Sequence, residues 1–172
     1  SNFKEVIGQE HIVKVLQSSA ESGRVAHAYL FSGSRGTGKT SLARIFAEAI
    51  GTTAKDLYEI DAASNNGVDE VRAINEAVNV LPFDSKYKVY IFDEVHMFSK
   101  GAWNALLKTL EEPPSHAIFI LATTEIEKVP ETIVSRCQTF IFNKPSQEVL
   151  STVVKNISKK EEYSLEPASS DL

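Results

Sequence analysis

Short apolar runs alternate with stretches of helical periodicity along the chain from residue 28 onward. This alternation is typical of a parallel β-sheet whose two faces are covered by helices. Strands are predicted at residues 28–32, 57–61, 88–93, 117–123 and 139–142. Helices are predicted between them, at residues 39–50, 68–80, 102–111 and 131–135. The pattern therefore indicates an α/β fold in which right-handed crossovers connect the strands of one parallel sheet.

The helical pattern continues on both sides of this predicted sheet. One amphipathic helix is predicted over residues 7–21, and another over residues 148–160. The composition shifts between the last predicted strand and that final helix, and the polar end of the chain is expected to fray. We therefore predict one domain over residues 3–144 and the incomplete beginning of a second, helical domain over residues 145–172.

The clearest functional motif lies between the first predicted strand and the helix that follows it. The segment fits G-x-x-x-x-G-K-[ST] at every specified position and consists of Gly33, Ser34, Arg35, Gly36, Thr37, Gly38, Lys39 and Thr40. Glycines allow backbone amides to surround a phosphate chain at the positive end of a helix. Lys39 is expected to reach the β and γ phosphates and Thr40 to offer its hydroxyl to Mg²⁺, with Ser41 completing the site. The simpler alternative, a glycine-rich turn with an exposed lysine, does not account for the strand–loop–helix context.

Two adjacent carboxylates end the apolar run of the third predicted strand, at Asp93 and Glu94. Successive strand residues point in opposite directions, so Asp93 can support a metal while Glu94 faces a water molecule in line with the γ phosphate. Taken alone, the pair fits a second interpretation equally well, in which Asp93 caps the following turn and Glu94 is a solvated surface charge. Together with the phosphate loop it indicates hydrolysis. His96, in the same segment, is expected to have a packed or hydrogen-bonded structural role.

Two further polar positions are candidates for roles in the same chemistry. Thr124 follows the fourth predicted strand, where it either hydrogen-bonds the γ phosphate or the water, or simply reflects strand propensity and turn capping. Arg136 precedes the last strand and is expected near the edge of the sheet, too far from its own nucleotide but within reach of a neighbour's. A guanidinium supplied in trans stabilises charge on a transferring phosphoryl group. By spacing alone, a surface salt bridge explains Arg136 better.

The composition narrows the function classes that the chain can serve. No apolar run approaches the roughly 20 residues that span a bilayer, so no membrane partner is expected. A formal net charge of −5 means that a lone copy should bind DNA weakly, unless assembly concentrates basic patches. The single cysteine, Cys137, forms no internal disulfide, which fits a reducing cytoplasm. The four histidines lack the short spacings of zinc sites.

Several segments together resemble the AAA+ clamp-loader ATPases of the bacterial DNA polymerase III gamma/tau family. The matching segments are residues 3–11, 27–33, 33–40, 60–70, 93–97, 104–114, 121–124 and 135–137. Each motif alone is shared by many AAA+ proteins. The combination of Asn-Ala-Leu-Leu-Lys-Thr-Leu-Glu-Glu-Pro-Pro with Ser-Arg-Cys is particular to clamp loaders.

The resemblance implies a fold, a site and a set of partners. It implies a P-loop NTPase sheet with the strand order 5-1-4-3-2, ATP and Mg²⁺ as ligands, and a ring of subunits that opens a sliding clamp and places it on primer-template DNA. The residues carried over are Lys39 and Thr40 on ATP and Mg²⁺, Asp93 and Glu94 in hydrolysis, Thr124 as first sensor and Arg136 as the finger in trans. Val6, Ile7 and Gly8 match the segment that packs near the adenine.

Two features of the family are not matched. The four-cysteine zinc module is absent between the first helix of the sheet and the second strand, so zinc is not expected. Residues 145–172 supply no second sensor arginine, so the lid domain is expected to be incomplete. Two alternatives remain open: a branch-migration or recombination ATPase with the same loop and acids, and a nucleotide-regulated scaffold without turnover. Glu94 argues against the scaffold, because a pure switch needs no base.

Overall fold

A computed structural model describes residue 3 and residues 8–144. Within this range the strands form one parallel five-stranded sheet in the order β2-β3-β4-β1-β5. The strands are β1 Ala28–Ser32, β2 Leu57–Asp61, β3 Lys88–Asp93, β4 Ala117–Thr123 and β5 Gln138–Ile141. This confirms the predicted fold class and strand order, including β4 between the strand before the phosphate loop and the acidic strand.

The helices of the described range follow the predicted pattern with small shifts at their ends. They are α1 Glu10–Ser22, α2 Lys39–Ala49, α3 Val68–Val78, α4 Lys100–Glu111 and α5 Glu131–Val134. Helix α4 begins two residues earlier than predicted because the hydroxyl of Ser99 accepts the backbone N–H of Ala102 and caps it. Short 3₁₀ turns at Ala54–Asp56, Val95–Met97 and Ile126–Lys128 were not predicted. The predicted helix at residues 148–160 lies outside the described residues, so the division into two domains stays a prediction.

Helices cover both faces of the sheet. Successive strand residues point to opposite faces, so each face has its own apolar core against the helices. On one face Leu30, Phe92 and Phe119 pack with Trp103 and Leu106 of α4. On the other face, Tyr29, Phe31, Ile91 and Ile120 of the strands pack with helices α1 and α2. The helices contribute Leu16, Leu42 and Phe46, and all seven side chains are fully buried. The central strands β1 and β4 are buried along their whole length. Both faces are apolar, as predicted for a doubly covered parallel sheet.

The parallel register brings the carboxyl ends of the central strands to one edge of the sheet. Ser32 at the end of β1 pairs with Thr123 at the end of β4, and Asp61 at the end of β2 pairs with Asp93 at the end of β3. In open α/β sheets, ligands bind beyond this edge. In the described part of the chain, no helix is long and apolar enough to cross a membrane.

Candidate nucleotide-binding site

The loop after β1 has the backbone that the phosphate-binding motif requires. Gly36 and Gly38 have φ angles of 80° and 93°, in the left-handed region that glycine tolerates at little cost. Gly33 is needed for space, because a Cβ there would lie 2.7 Å from the carbonyl oxygen of Phe142. Thr37 fixes the turn by donating its hydroxyl to the carbonyl of Ser34 at 2.7 Å. The loop therefore directs amides and the start of α2 toward one cleft.

Lys39 is the charged group at the centre of this loop. Its ammonium group donates to the carbonyl oxygens of Gly33 at 2.6 Å and Ser34 at 2.9 Å, and the residue is almost fully buried. Burial lowers its pKa from the ordinary lysine value, although Asp93 and Glu94 act in the opposite direction. A phosphate group can replace the loop carbonyls as its partner, because an anion compensates a desolvated ammonium better than a neutral oxygen.

Two oxygen groups of the kind that a divalent cation prefers lie close together, at the start of α2 and at the end of β3. The hydroxyl of Thr40 lies 3.4 Å from a carboxylate oxygen of Asp93. Hydroxyl and carboxylate oxygens, completed by water and phosphate oxygens, form the coordination that Mg²⁺ prefers. These two residues fit the Mg²⁺ site that the sequence predicted.

Glu94 has a special backbone conformation next to this pair. With φ 57°, it is the one non-glycine residue of the described chain with a positive φ, a conformation that costs on the order of 1 kcal/mol or more. Its N–H donates to Asp93 at 3.0 Å, so the turn fixes the acidic pair as a unit. The Glu94 carboxylate lies 4.0 Å from the exposed guanidinium of Arg35 and 3.4 Å from the ring of His96. Such strain at a strand end is typical of functional sites.

The predicted side chains meet around one cleft of about 200 Å³. The lining residues are Arg35, Gly36, Gly38, Lys39, Thr40, Ser41, Asp93, Glu94 and Thr124. Gly33, Ser34 and Thr37 shape the loop behind it. Beyond Glu94, a wider cleft of about 560 Å³ adjoins and includes Asp61 and His96. Gly8 has a φ of 80°, whereas Val6 and Ile7 lie outside the described residues.

Arg136 does not join this cleft. It lies two residues before β5, whose first residue pairs with Tyr29 near the start of β1, so it is toward the opposite end of the strands. Its guanidinium contacts Glu111 at 3.3 Å and donates to the carbonyl of Thr132 at 2.9 Å. Both the salt bridge expected from spacing and a half-exposed position open to a neighbouring molecule are consistent with this placement.

Sequence reasoning missed two groups of contacts around the loop. The side chain of Gln9 donates to the carbonyls of Asn143 at 2.6 Å and Thr37 at 3.4 Å, and accepts from the N–H of Asn143 at 3.0 Å. Glu125 lies 3.2 Å from the ring of His96. Gln9 lies within the matching segment at residues 3–11, but neither the resemblance nor a local signal gave it or Glu125 a role.

An all-parallel sheet of this order, with a phosphate loop after β1 and an acidic pair ending β3, defines a P-loop protein of the AAA+ class. The sequence profile of the family described as "DNA polymerase III, delta subunit" matches residues 8–66 and 52–146. The chain therefore belongs to this family of DNA polymerase III subunits.

The similar proteins place the chain beside gamma and tau subunits. The DNA polymerase III subunit tau of Bacillus subtilis is 49% identical over 99% of this chain and 34% of its own length. A crystal structure of a DNA polymerase III gamma subunit-related protein from Thermotoga maritima superposes with a TM-score of 0.70 and 26% identity, over 86% of this chain and 51% of that one.

The fold alone is also shared with a branch-migration protein. The Thermotoga maritima RuvB Holliday junction branch migration motor superposes with a TM-score of 0.76 at 23% identity, over 99% of this chain and 57% of that one. At this identity the likeness concerns the AAA+ fold only.

Proposed function

We propose that this chain is the ATP-hydrolysing motor domain of a DNA clamp-loader subunit, which opens a sliding clamp and loads it on primed DNA during replication. One observation carries the proposal: Lys39, Thr40, Asp93 and Glu94 converge on one cleft in a chain of a DNA polymerase III family. The chain spans between 27% and 52% of the length of the curated relatives it matches, so the activity of the whole protein is part of the proposal.

Five side chains of the cleft have a defined part in the proposed ATP hydrolysis. Lys39, with the loop amides, would bind the triphosphate, and Thr40 and Asp93 would hold Mg²⁺. When bound, Mg²⁺ neutralises negative charge on the phosphate oxygens. Glu94 accepts a proton from the attacking water, and Thr124 orients that water or the terminal phosphate from the neighbouring strand end.

Arg136 acts in trans in this proposal. Its position toward the amino ends of the strands keeps it away from its own cleft, and its half-exposed guanidinium is available to an adjacent subunit of a ring. Hydrolysis by one subunit then depends on contact with the next. Other clamp-loader subunits, the sliding clamp and primer-template DNA are the partners that the proposal requires.

The decisive experiment measures ATP turnover by the full-length protein assembled with its partner subunits. We expect a sliding clamp and primed DNA together to stimulate hydrolysis well above either alone. Four-way junction DNA serves as the comparison, because a branch-migration motor would respond to it instead. Stimulation by junction DNA and not by clamp with primed DNA would contradict the proposal.

A scaffold that binds ATP without turnover makes a different prediction. A single-turnover measurement with radiolabelled ATP on the assembled protein would then show bound, intact ATP over many minutes. We expect phosphate release that depends on Glu94, because a scaffold has no use for a carboxylate held at the cleft by a strained turn.

A further inference from the structure

His96 connects the ends of two strands that face the cleft. Its side chain is only 8% exposed, in the 3₁₀ turn after β3. One ring nitrogen, Nδ1, lies 3.0 Å from the hydroxyl of Thr123 at the end of β4. The other, Nε2, lies 3.4 Å from Glu94 and 3.2 Å from Glu125. The ring therefore contacts both the proposed base and the segment that carries Thr124.

The partners of the ring determine where its proton lies. Ionised carboxylates only accept hydrogen bonds, so a ring nitrogen that faces two of them must carry a hydrogen. In the neutral ring the hydrogen is then on Nε2, and Nδ1 accepts the hydroxyl hydrogen of Thr123. That hydroxyl oxygen already accepts the N–H of Glu125 at 2.9 Å, which fixes its own orientation.

A single N–H cannot donate fully to two carboxylates at once. Glu94 and Glu125 therefore compete for the same donor, and Glu125 is slightly closer in the structure. When Glu94 turns away from the ring and further into the cleft, Glu125 can take the whole hydrogen bond, so the buried ring nitrogen keeps a partner. Glu125 therefore lowers the free-energy cost of breaking the hydrogen bond between Glu94 and the ring of His96.

We propose that His96 is a positioning residue that sets where the Glu94 carboxylate rests, and that Glu125 is the competing acceptor that releases it. This inference rests on the proposed function of Glu94 as the base in ATP hydrolysis. Because Thr123 precedes Thr124, the same ring also connects the base to the strand end whose next residue, Thr124, lines the cleft. The DE-x-H segment thus carries a hydrogen-bond exchange in addition to the acidic pair.

The tautomer can be tested without nucleotide. Long-range ¹⁵N–¹H NMR spectra of the histidine rings, with His96→Gln used to assign the signal, distinguish the two neutral forms. We expect His96 to be in the Nε2–H form. An Nδ1–H ring would mean that the carboxylates do not share a donor, and would overturn the inference even if ATP were hydrolysed normally.

Two substitutions at the ring separate positioning from packing. His96→Gln retains an N–H donor near the position of Nε2, whereas His96→Asn retains one only near Nδ1. In the assembled full-length protein we expect His96→Asn to raise kcat, by up to about ten- to a hundred-fold, the range of a lost hydrogen bond to a charged group, because Glu94 is then no longer held at its resting place. His96→Gln keeps the donor and should stay near the parental kcat. KM and the affinity for a fluorescent ATP analogue should not change. Equal losses in both variants, tracking thermal stability, would overturn the inference.

The competing acceptor supplies an independent test. We expect Glu125→Ala to lower kcat several-fold with KM unchanged, and to have no further effect in the His96→Asn background, because the two act through one hydrogen bond. Lys128→Ala is the matched control, since it removes the other ion pair of Glu125, at 3.1 Å, without touching the ring. Additive effects would contradict the coupling. Absence of any turnover in the unsubstituted protein would instead contradict the proposed function, while leaving the tautomer result intact.

Discussion

The hydroxyl of Thr40 lies 3.4 Å from a carboxylate oxygen of Asp93, although the two residues are 53 positions apart in the sequence. The contact joins the first turn of α2 to the end of β3. Only β4 lies between β1 and β3 in the sheet, so the helix that follows β1 begins near the end of β3. The fold itself therefore brings the two oxygens close together, so little reorganisation is needed to hold a cation between them.

This contact predicts how the chain depends on Mg²⁺. Thr40→Ala removes the hydroxyl and should raise the Mg²⁺ concentration needed for half-maximal ATP binding about tenfold or more, the equivalent of one lost interaction with a charged group. Thr40→Ser keeps the hydroxyl and is the matched control. Titrations with a fluorescent ATP analogue at several Mg²⁺ concentrations measure the effect. Equal curves for Thr40→Ala and Thr40→Ser would show that the hydroxyl is not a ligand.

Glu94 should separate binding from turnover. Glu94→Gln preserves the shape of the side chain but removes its capacity to take a proton, so hydrolysis should slow about 10²- to 10⁴-fold. The dissociation constant for ATP should stay within a few-fold of the parent value, because Lys39 and the loop amides are unchanged. Rapid-quench and equilibrium-binding measurements on the same preparation test both statements. Parental turnover in this variant would exclude Glu94 as the base.

Two hypotheses for Arg136 can be compared directly: a structural ion pair with Glu111, and action on the nucleotide of a neighbouring subunit. Arg136→Ala removes both the guanidinium and the ion pair with Glu111, whereas Glu111→Gln weakens the ion pair only. If Arg136 acts on a neighbour's nucleotide, only Arg136→Ala should lower turnover of the assembled ring, by about 10³-fold or more. Mixing Arg136→Ala with Glu94→Gln subunits should restore part of the activity where an intact finger meets an intact base. Similar losses for Arg136→Ala and Glu111→Gln would favour the structural salt bridge.

Asp56 predicts a feature of acid stability. It is fully buried, and its carboxylate accepts the backbone N–H groups of Asp84 at 2.9 Å and Ser85 at 2.8 Å, with a further bond from Phe83. Burial alone would raise its pKa, but these hydrogen bonds outweigh burial and lower the pKa from 3.8 to about 2. A lowered native pKa stabilises the fold above pH 3.8, and this contribution is lost as the pH falls toward 2.

Chemical denaturation between pH 2 and pH 7 measures that contribution. Asp56→Asn should lower the free energy of unfolding at neutral pH by about 1–3 kcal/mol, because an amide cannot accept all the buried N–H groups. Part of the acid-induced loss should disappear in the same variant. Asp69→Asn, at an exposed ion pair with Arg72, should change stability by no more than about 0.5 kcal/mol. An unchanged stability of Asp56→Asn would contradict this account.

The fold was predictable because its information is local. The runs that become β1, β3 and β4 are apolar at almost every position and only five to seven residues long, which is typical of strands buried on both faces. The phosphate loop and the acidic pair were predictable because each is contiguous and each sits at a strand end. The order of the strands came from resemblance, since periodicity fixes elements but not their neighbours.

The remaining contacts of the site depend on distant segments that only the folded chain brings together. The ring of His96 meets Thr123 across 27 positions, and nothing in the local sequence marks Glu125 as its third partner. Helix α3 ends at Val78 rather than residue 80, next to carbonyls of Ala77 and Val80 that the buried Lys88 binds from the start of β3. Contacts of this kind leave no periodic signal.

The side-chain amide of Gln9 joins three separate segments: the start of the first helix, the phosphate loop and the residues after β5. Its carbonyl accepts the N–H of Asn143, and its NH₂ donates to the carbonyl oxygens of Asn143 and of Thr37 in the phosphate loop. A rotation of the backbone on either side of the Asn143 Cα would therefore break a hydrogen bond to Gln9. One side chain therefore links the phosphate loop directly to the residues that follow β5.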